Sequence, residues 1–125
     1  MTDPDADNTL QGRCVLVVED ELLVAMELDW VLRAQGCTVL GPAATVDRAV
    51  VLIGEGQPQV ALLDLNLGGQ SALPVAAVLN ARGVPFLVVS GYSENQSRAP
   101  ELSRAPRLAK PVNHRQLLHA LRATS

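Results

Sequence analysis

A three-layer α/β/α fold built on a doubly wound parallel sheet is the class this sequence predicts. Two observations carry that expectation. Short apolar runs alternate with longer helical stretches along the chain, the pattern of a parallel sheet with helices on both faces. The runs are also apolar at successive positions, as in strands buried on both sides, rather than at every second one. The chain has 125 residues, 48% of them hydrophobic. That is enough for one domain with one solid core.

The elements follow in order. Residues 1–12 are acidic and polar. They read as a flexible N-terminal tail and lack the character of a signal or transit peptide. Cys14–Val18 is the first strand. A helix from Glu21 to about Gln35 follows and stops at Gly36, a natural C′ residue. It is apolar nearly all round, through Leu22, Leu23, Met26, Leu28, Trp30, Val31 and Leu32. Such a helix is covered on two sides or leaves a sticky patch. Core packing and a dimer face containing Trp30 both remain open.

Thr38–Leu40 is the second strand, ended by Gly41-Pro42. Thr45 caps a helix to about Ile53, with Val46, Ala49, Val50 and Ile53 on one face, and Gly54 and Gly56-Gln57-Pro58 break it. Val60–Leu63 is the third strand, and Gly68-Gly69 reads as a flexible loop after Asp64. A third helix covers about Ala72 to Arg82, with Pro74 tolerated in its first turn. Pro85–Val89 is the fourth strand. Gly, Ser and Pro crowd residues 91–105 and leave room for a short helix at most. Arg107–Ala109 is the fifth strand, and Asn113 caps a last helix with Leu117, Leu118 and Leu121 inward.

Composition narrows the function. Net charge is −3, and the basic residues of positions 98–122 are scattered. Trp30, Phe86 and Tyr92 are the only aromatics. A nucleic-acid binder needs a basic stripe or stacking platforms. Cys14 and Cys37 read as buried thiols, since they have no histidine partners at zinc spacing. No apolar run reaches membrane-spanning length. The expectation is a soluble cytoplasmic protein without a membrane or nucleic-acid partner.

The chemistry lies where the apolar runs end. The first ends at Glu19-Asp20, the third at Asp64, the fourth at Ser90 and the fifth at Lys110-Pro111. In a parallel sheet these side chains gather outside the carboxyl ends of the strands, where such sheets bind ligands. Three carboxylates can share Mg²⁺, a cation that prefers oxygen donors, and the backbone carbonyl of Asn66 could complete its shell. Without a cation the carboxylates repel one another; Lys110 relieves this. Asp64 is the candidate nucleophile for a phosphoryl group, which Lys110 and Ser90 would contact.

These residues carry a resemblance. V-L-V-V-E-D-E, L-L-D-L-N-L, V-V-S-G-Y and L-A-K-P-V, in this order and spacing, resemble the receiver domain of two-component response regulators over about Arg13 to Ala123. Residues 36–45 and 85–92 are similar to the single-domain "FAT GUY" receivers of alphaproteobacteria, although Val88-Val89-Ser90 stands where that name implies Phe-Ala-Thr. The resemblance implies a flavodoxin-like sheet of order 2-1-3-4-5 and a receiver domain over 13–125. Asp64 would accept phosphate from a histidine kinase or histidine phosphotransfer protein. Glu19, Asp20 and Asp64 would hold Mg²⁺, Ser90 and Lys110 would contact the phosphoryl group, and the Lys110–Pro111 bond would be cis.

The resemblance further implies signalling by protein contact, with no enzymatic activity beyond self-phosphorylation and dephosphorylation. The chain would be a monomer or weak homodimer. Arg107 stands where many receivers have an aromatic switch residue, so Tyr92 and the 91–105 segment are expected to carry the switch instead. A phosphorylation-independent pseudo-receiver is the alternative. A flavodoxin-like cofactor-binding domain is a further alternative; it needs a phosphate-cradling loop after the first strand, where Glu19-Asp20-Glu21 would repel a phosphate unless a metal intervened. An aspartate-nucleophile phosphatase needs a second acid and a Thr that are absent after Asp64.

Overall fold

The computed structural model describes residues 10–91 and 99–124. Five parallel strands form the main sheet: β1 (Cys14–Val18), β2 (Thr38–Ala43), β3 (Val60–Asp64), β6 (Phe86–Ser90) and β7 (Arg107–Ala109). Their order is β2-β1-β3-β6-β7. This is the expected 2-1-3-4-5 order when the strands of this sheet are counted alone. The helices are α1 (Leu22–Ala34), α2 (Val46–Gly56), α3 (Leu73–Ala81) and α4 (His114–Thr124). A 3₁₀ turn at Pro100–Leu102 is the short helix that the Gly/Ser/Pro-rich stretch allows.

Each central strand is buried along nearly its whole length, because both faces of the sheet are covered. Leu16, Val18, Ala61, Leu63 and Val88 face α2 and α3, where they meet Ala49, Ile53, Val75 and Leu79. Val15, Val17, Leu62 and Leu87 face α1 and α4, where they meet Leu28, Leu32, Leu117 and Leu121. Each such buried aliphatic side chain contributes about 1.5–3 kcal/mol over its exposed state.

The structure corrects several sequence expectations. Leu10, assigned to the tail, is 2% exposed and joins the second core cluster. Gly12 N–H donates to the Gly36 carbonyl at 2.8 Å. The β2 strand does not stop at Gly41-Pro42 but continues to Ala43. It is an edge strand, where a proline costs no ladder bond, and its register against β1 shifts between Leu16 and Val18. Gly41 sits at φ +94, where a Cβ would lie 2.7 Å from the Val17 carbonyl oxygen. Only glycine allows that approach.

Helix α2 runs past Gly54 to Gly56, and Val50 is 37% exposed rather than core. Thr45 does cap it, its Oγ1 accepting from Arg48 N–H at 3.1 Å. Helix α1 buries Ala25, Leu28, Val31 and Leu32 but leaves Leu22, Leu23, Met26 and Trp30 exposed. Core packing therefore accounts for only one flank of that helix.

Candidate functional site

The parallel register brings the strand ends into line. Asp64 closes β3 opposite Val89 of β6, and Ser90 follows at the end of β6, opposite Ala109. Glu19 continues β1, its N–H donating to the Ala43 carbonyl at 2.9 Å. The Lys110 N–H donates to the Ser90 carbonyl at 3.0 Å. The Lys110–Pro111 peptide is cis.

Lys110 Nζ is the centre of the cluster. It lies 2.8 Å from Glu21 Oε1, 3.1 Å from Glu19 Oε1 and 3.1 Å from Asp64 Oδ2. Asp64 Oδ1 accepts from Asn66 N–H at 3.1 Å, and Glu19 Oε2 from Glu21 N–H at 3.0 Å. Burial pushes the Glu19 carboxyl up to about 7, and the neighbouring Asp64 adds to the rise. The Glu21 N–H and the Lys110 ammonium work against it. Burial alone would lower the Lys110 pKa, but its bonds to Glu21, Glu19 and Asp64 more than reverse this and raise it.

Glu19, Asp20 and Asp64 offer carboxylate oxygens within 4.8 Å of one another. Oxygen donors at this spacing suit a hard divalent cation such as Mg²⁺. Asp20 and Asp64 border an open pocket of about 280 Å³, lined also by Glu21, Asn66, Gly68, Gly69, Gly91 and Lys110. Ser90, next in the chain to the lining residue Gly91, is fully buried, and its Oγ has no hydrogen-bond partner among the described residues. A buried hydroxyl of this kind suits a ligand oxygen that arrives later.

Of the residues expected to contribute, Glu19, Asp20, Asp64, Asn66 and Lys110 converge here. Arg107 does not line the pocket; it is half-buried on β7, paired with Val88 below the sheet edge. Tyr92 lies outside the described residues. Two features escaped the sequence reading. Glu21 is the shortest contact to Lys110, and the third acid in Glu19-Asp20-Glu21 was the signal for it. Gly68-Gly69 is not a loose loop but the turn of a small hairpin, β4 (Asn66–Leu67) with β5 (Gln70–Ser71). Both glycines have positive φ, +60 and +90, as a tight two-residue hairpin turn requires. The Gly69 N–H donates to Asn66 Oδ1 at 2.7 Å, which fastens the turn beside the pocket.

The family model of the response regulator receiver domain matches residues 15–122. The chain belongs to that family. Among solved structures, this receiver is similar to SdrG from Sphingomonas melonis Fr1. The two are 34% identical with a TM-score of 0.77, covering 92% of this chain and 97% of that one. The receiver domain of PhyR from Erythrobacter litoralis is 28% identical with a TM-score of 0.73, covering 92% of this chain and 88% of that one.

Among curated proteins, the transcriptional regulatory protein PdtaR of Mycobacterium tuberculosis is 29% identical, over 97% of this chain and 61% of that protein. The phyllosphere-induced regulator PhyR of Methylorubrum extorquens is 33% identical, over 78% of this chain and 38% of that protein. The receiver thus spans less than two thirds of these curated relatives. As a receiver it belongs to two-component signalling. Among the described residues, no helix is long and apolar enough to cross a membrane.

Proposed function

We propose that this receiver accepts a phosphoryl group on Asp64 from a histidine kinase or histidine phosphotransfer protein in the cytoplasm. It passes the signal on by protein–protein contact and acts on no other substrate. The observation that carries this reading is the meeting of Asp64, Lys110 and the Glu19–Asp20 oxygen donors at one solvent-open pocket.

The chemistry follows from those groups. A carboxylate oxygen of Asp64 attacks phosphorus in line and forms an O–P bond. The donor's bond to phosphorus breaks, and its electron pair leaves with the leaving group. Lys110 and the Ser90 hydroxyl contact phosphoryl oxygens, since positioning and charge neutralisation are most of what phosphoryl transfer asks of a protein. Glu19, Asp20, Asp64 and the Asn66 carbonyl would hold Mg²⁺, which when bound would supply the remaining positive charge.

Incubation with acetyl phosphate and Mg²⁺, read by intact mass, tests the proposal. The wild type gains one phosphoryl group and Asp64→Asn gains none. A wild type that stays unmodified, with acetyl phosphate and cognate kinases alike, would leave the pseudo-receiver reading in its place.

A further inference from the structure

Lys110 is engaged before any phosphoryl group arrives. An ammonium has three N–H donors, and this one donates to Glu21 Oε1 at 2.8 Å, to Asp64 Oδ2 at 3.1 Å and, at the long distance of 3.4 Å, to Glu19 Oε2. An incoming phosphoryl oxygen competes with these carboxylates for the ammonium. The three are not equivalent. The side chains of Glu19 and Asp64 are 1% and 5% exposed, whereas Glu21 is 60% exposed. Releasing Glu19 or Asp64 leaves a buried carboxylate with a backbone N–H as its remaining hydrogen-bond partner and no counter-charge from Lys110. Releasing Glu21 returns it to solvent at the cost of one exposed ion pair.

Among the described residues, Lys110 is the partner of the Glu21 carboxylate. Glu21 is the N-cap residue of α1, yet its side chain makes no capping hydrogen bond. Its carboxylate turns instead to Lys110.

We propose that Glu21 is the exchangeable holder of Lys110. It keeps the ammonium beside Asp64 until a phosphoryl oxygen takes its place, and so competes with the incoming group. Glu21 is on this view a positioning residue that acts through Lys110. The inference rests on the phosphoacceptor reading above. The transfer itself is unchanged: the Asp64 O–P bond forms while the donor's bond to phosphorus breaks, an O–P bond with acetate leaving for acetyl phosphate and an N–P bond with imidazole leaving for a phosphohistidine.

The test is a time course of phosphorylation by acetyl phosphate with Mg²⁺, read by intact mass. It compares the wild type, Glu21→Gln, Glu21→Asp, Lys110→Ala and the Glu21→Gln/Lys110→Ala double variant. Glu21→Gln is expected to be up to about fivefold faster than wild type, the span an exposed ion pair covers. Glu21→Asp keeps the charge and should stay near the wild-type rate. In the Lys110→Ala background, Glu21→Gln should change nothing, since coupling through Lys110 is then gone.

An equal acceleration in the Lys110→Ala background would mean that lost negative charge at the rim is the cause, and would overturn the proposal. So would a folded Glu21→Gln, checked by thermal melting, that is no faster than wild type. An unmodified wild type removes the phosphoacceptor reading and this inference together. An active wild type with an unresponsive Glu21→Gln removes this inference alone.

Discussion

At the carboxyl edge of the sheet, Glu19, Asp64 and Ser90 are 2%, 4% and 0% exposed, while Leu22 and Leu23, at the head of α1, are 68% and 80% exposed. Polar groups lie inside and large apolar ones outside, and Glu19 stands close to Leu22 and Leu23 in the chain. The strand ends are sealed because β1, β3 and β6 are covered on both faces, and the carboxylates of Glu19 and Asp64 are held by Lys110 and by backbone N–H groups. Helix α1 needs only Ala25, Leu28, Val31 and Leu32 to cover the sheet, so its other apolar flank finds nothing to pack on among the described residues. Burial here follows position in the layers rather than polarity, and it divides fixed groups from adjustable ones.

Removing support from the fixed side should have the largest effect. Leu62 lies on β3 two residues before Asp64 and is 1% exposed. Leu62→Ala should lose about 2–5 kcal/mol in urea unfolding, through lost burial and the cavity left behind. A loss no larger than that of a surface substitution would dissolve the contrast.

A smaller effect is expected from pH. Glu19 is held at about 7, chiefly by burial, against an ordinary 4.5. In Mg²⁺-free buffer the folded state therefore keeps a proton that the unfolded chain gives up. The stability contributed by this raised acid is complete below about 4.5 and is lost as the pH rises through about 7. The melting temperature of the metal-free protein should fall from about pH 5 to about pH 8. A cation on the ionised carboxylates reverses that slope, so the Mg²⁺-induced shift should grow over the same range. A shift that is equal at both ends would show that Glu19 does not carry this linkage.

The smallest effect belongs to the open side. Leu23→Ala should change unfolding free energy by no more than about 0.5 kcal/mol, as for other surface positions. A larger loss would mean that the outer flank of α1 is covered in solution, as a dimer face containing Trp30 requires.

The same division explains how much could be read from the chain. Strands buried on both faces announce themselves as unbroken apolar runs, and the groups that end them were therefore legible: Glu19, Asp20, Asp64 and Ser90. Lys110 was legible from the Lys110-Pro111 pair that closes the short edge strand β7. Leu22, Leu23, Met26 and Trp30 were not assignable, because an all-round apolar helix does not state which flank it buries. Leu10 hid in polar surroundings, with no period to mark it. The continuation of β2 through Gly41-Pro42 depends on its being an edge strand, a property of topology rather than of local sequence. The contact from Glu21 to Lys110 joins residues far apart in the chain, and only the assembled sheet brings them together.

One carboxylate in this site has already lost its symmetry. The oxygens of a free aspartate exchange places by rotation about a single bond. In Asp64 the Asn66 N–H holds Oδ1 and the Lys110 ammonium holds Oδ2, each at 3.1 Å. The torsion is fixed by two partners of different kind, one neutral and part of the backbone, the other a charged side chain. Under the proposed phosphoacceptor role, an electrophile entering the pocket would meet a carboxylate whose orientation is set in advance, which removes part of the entropy that a reaction in free solution would have to lose.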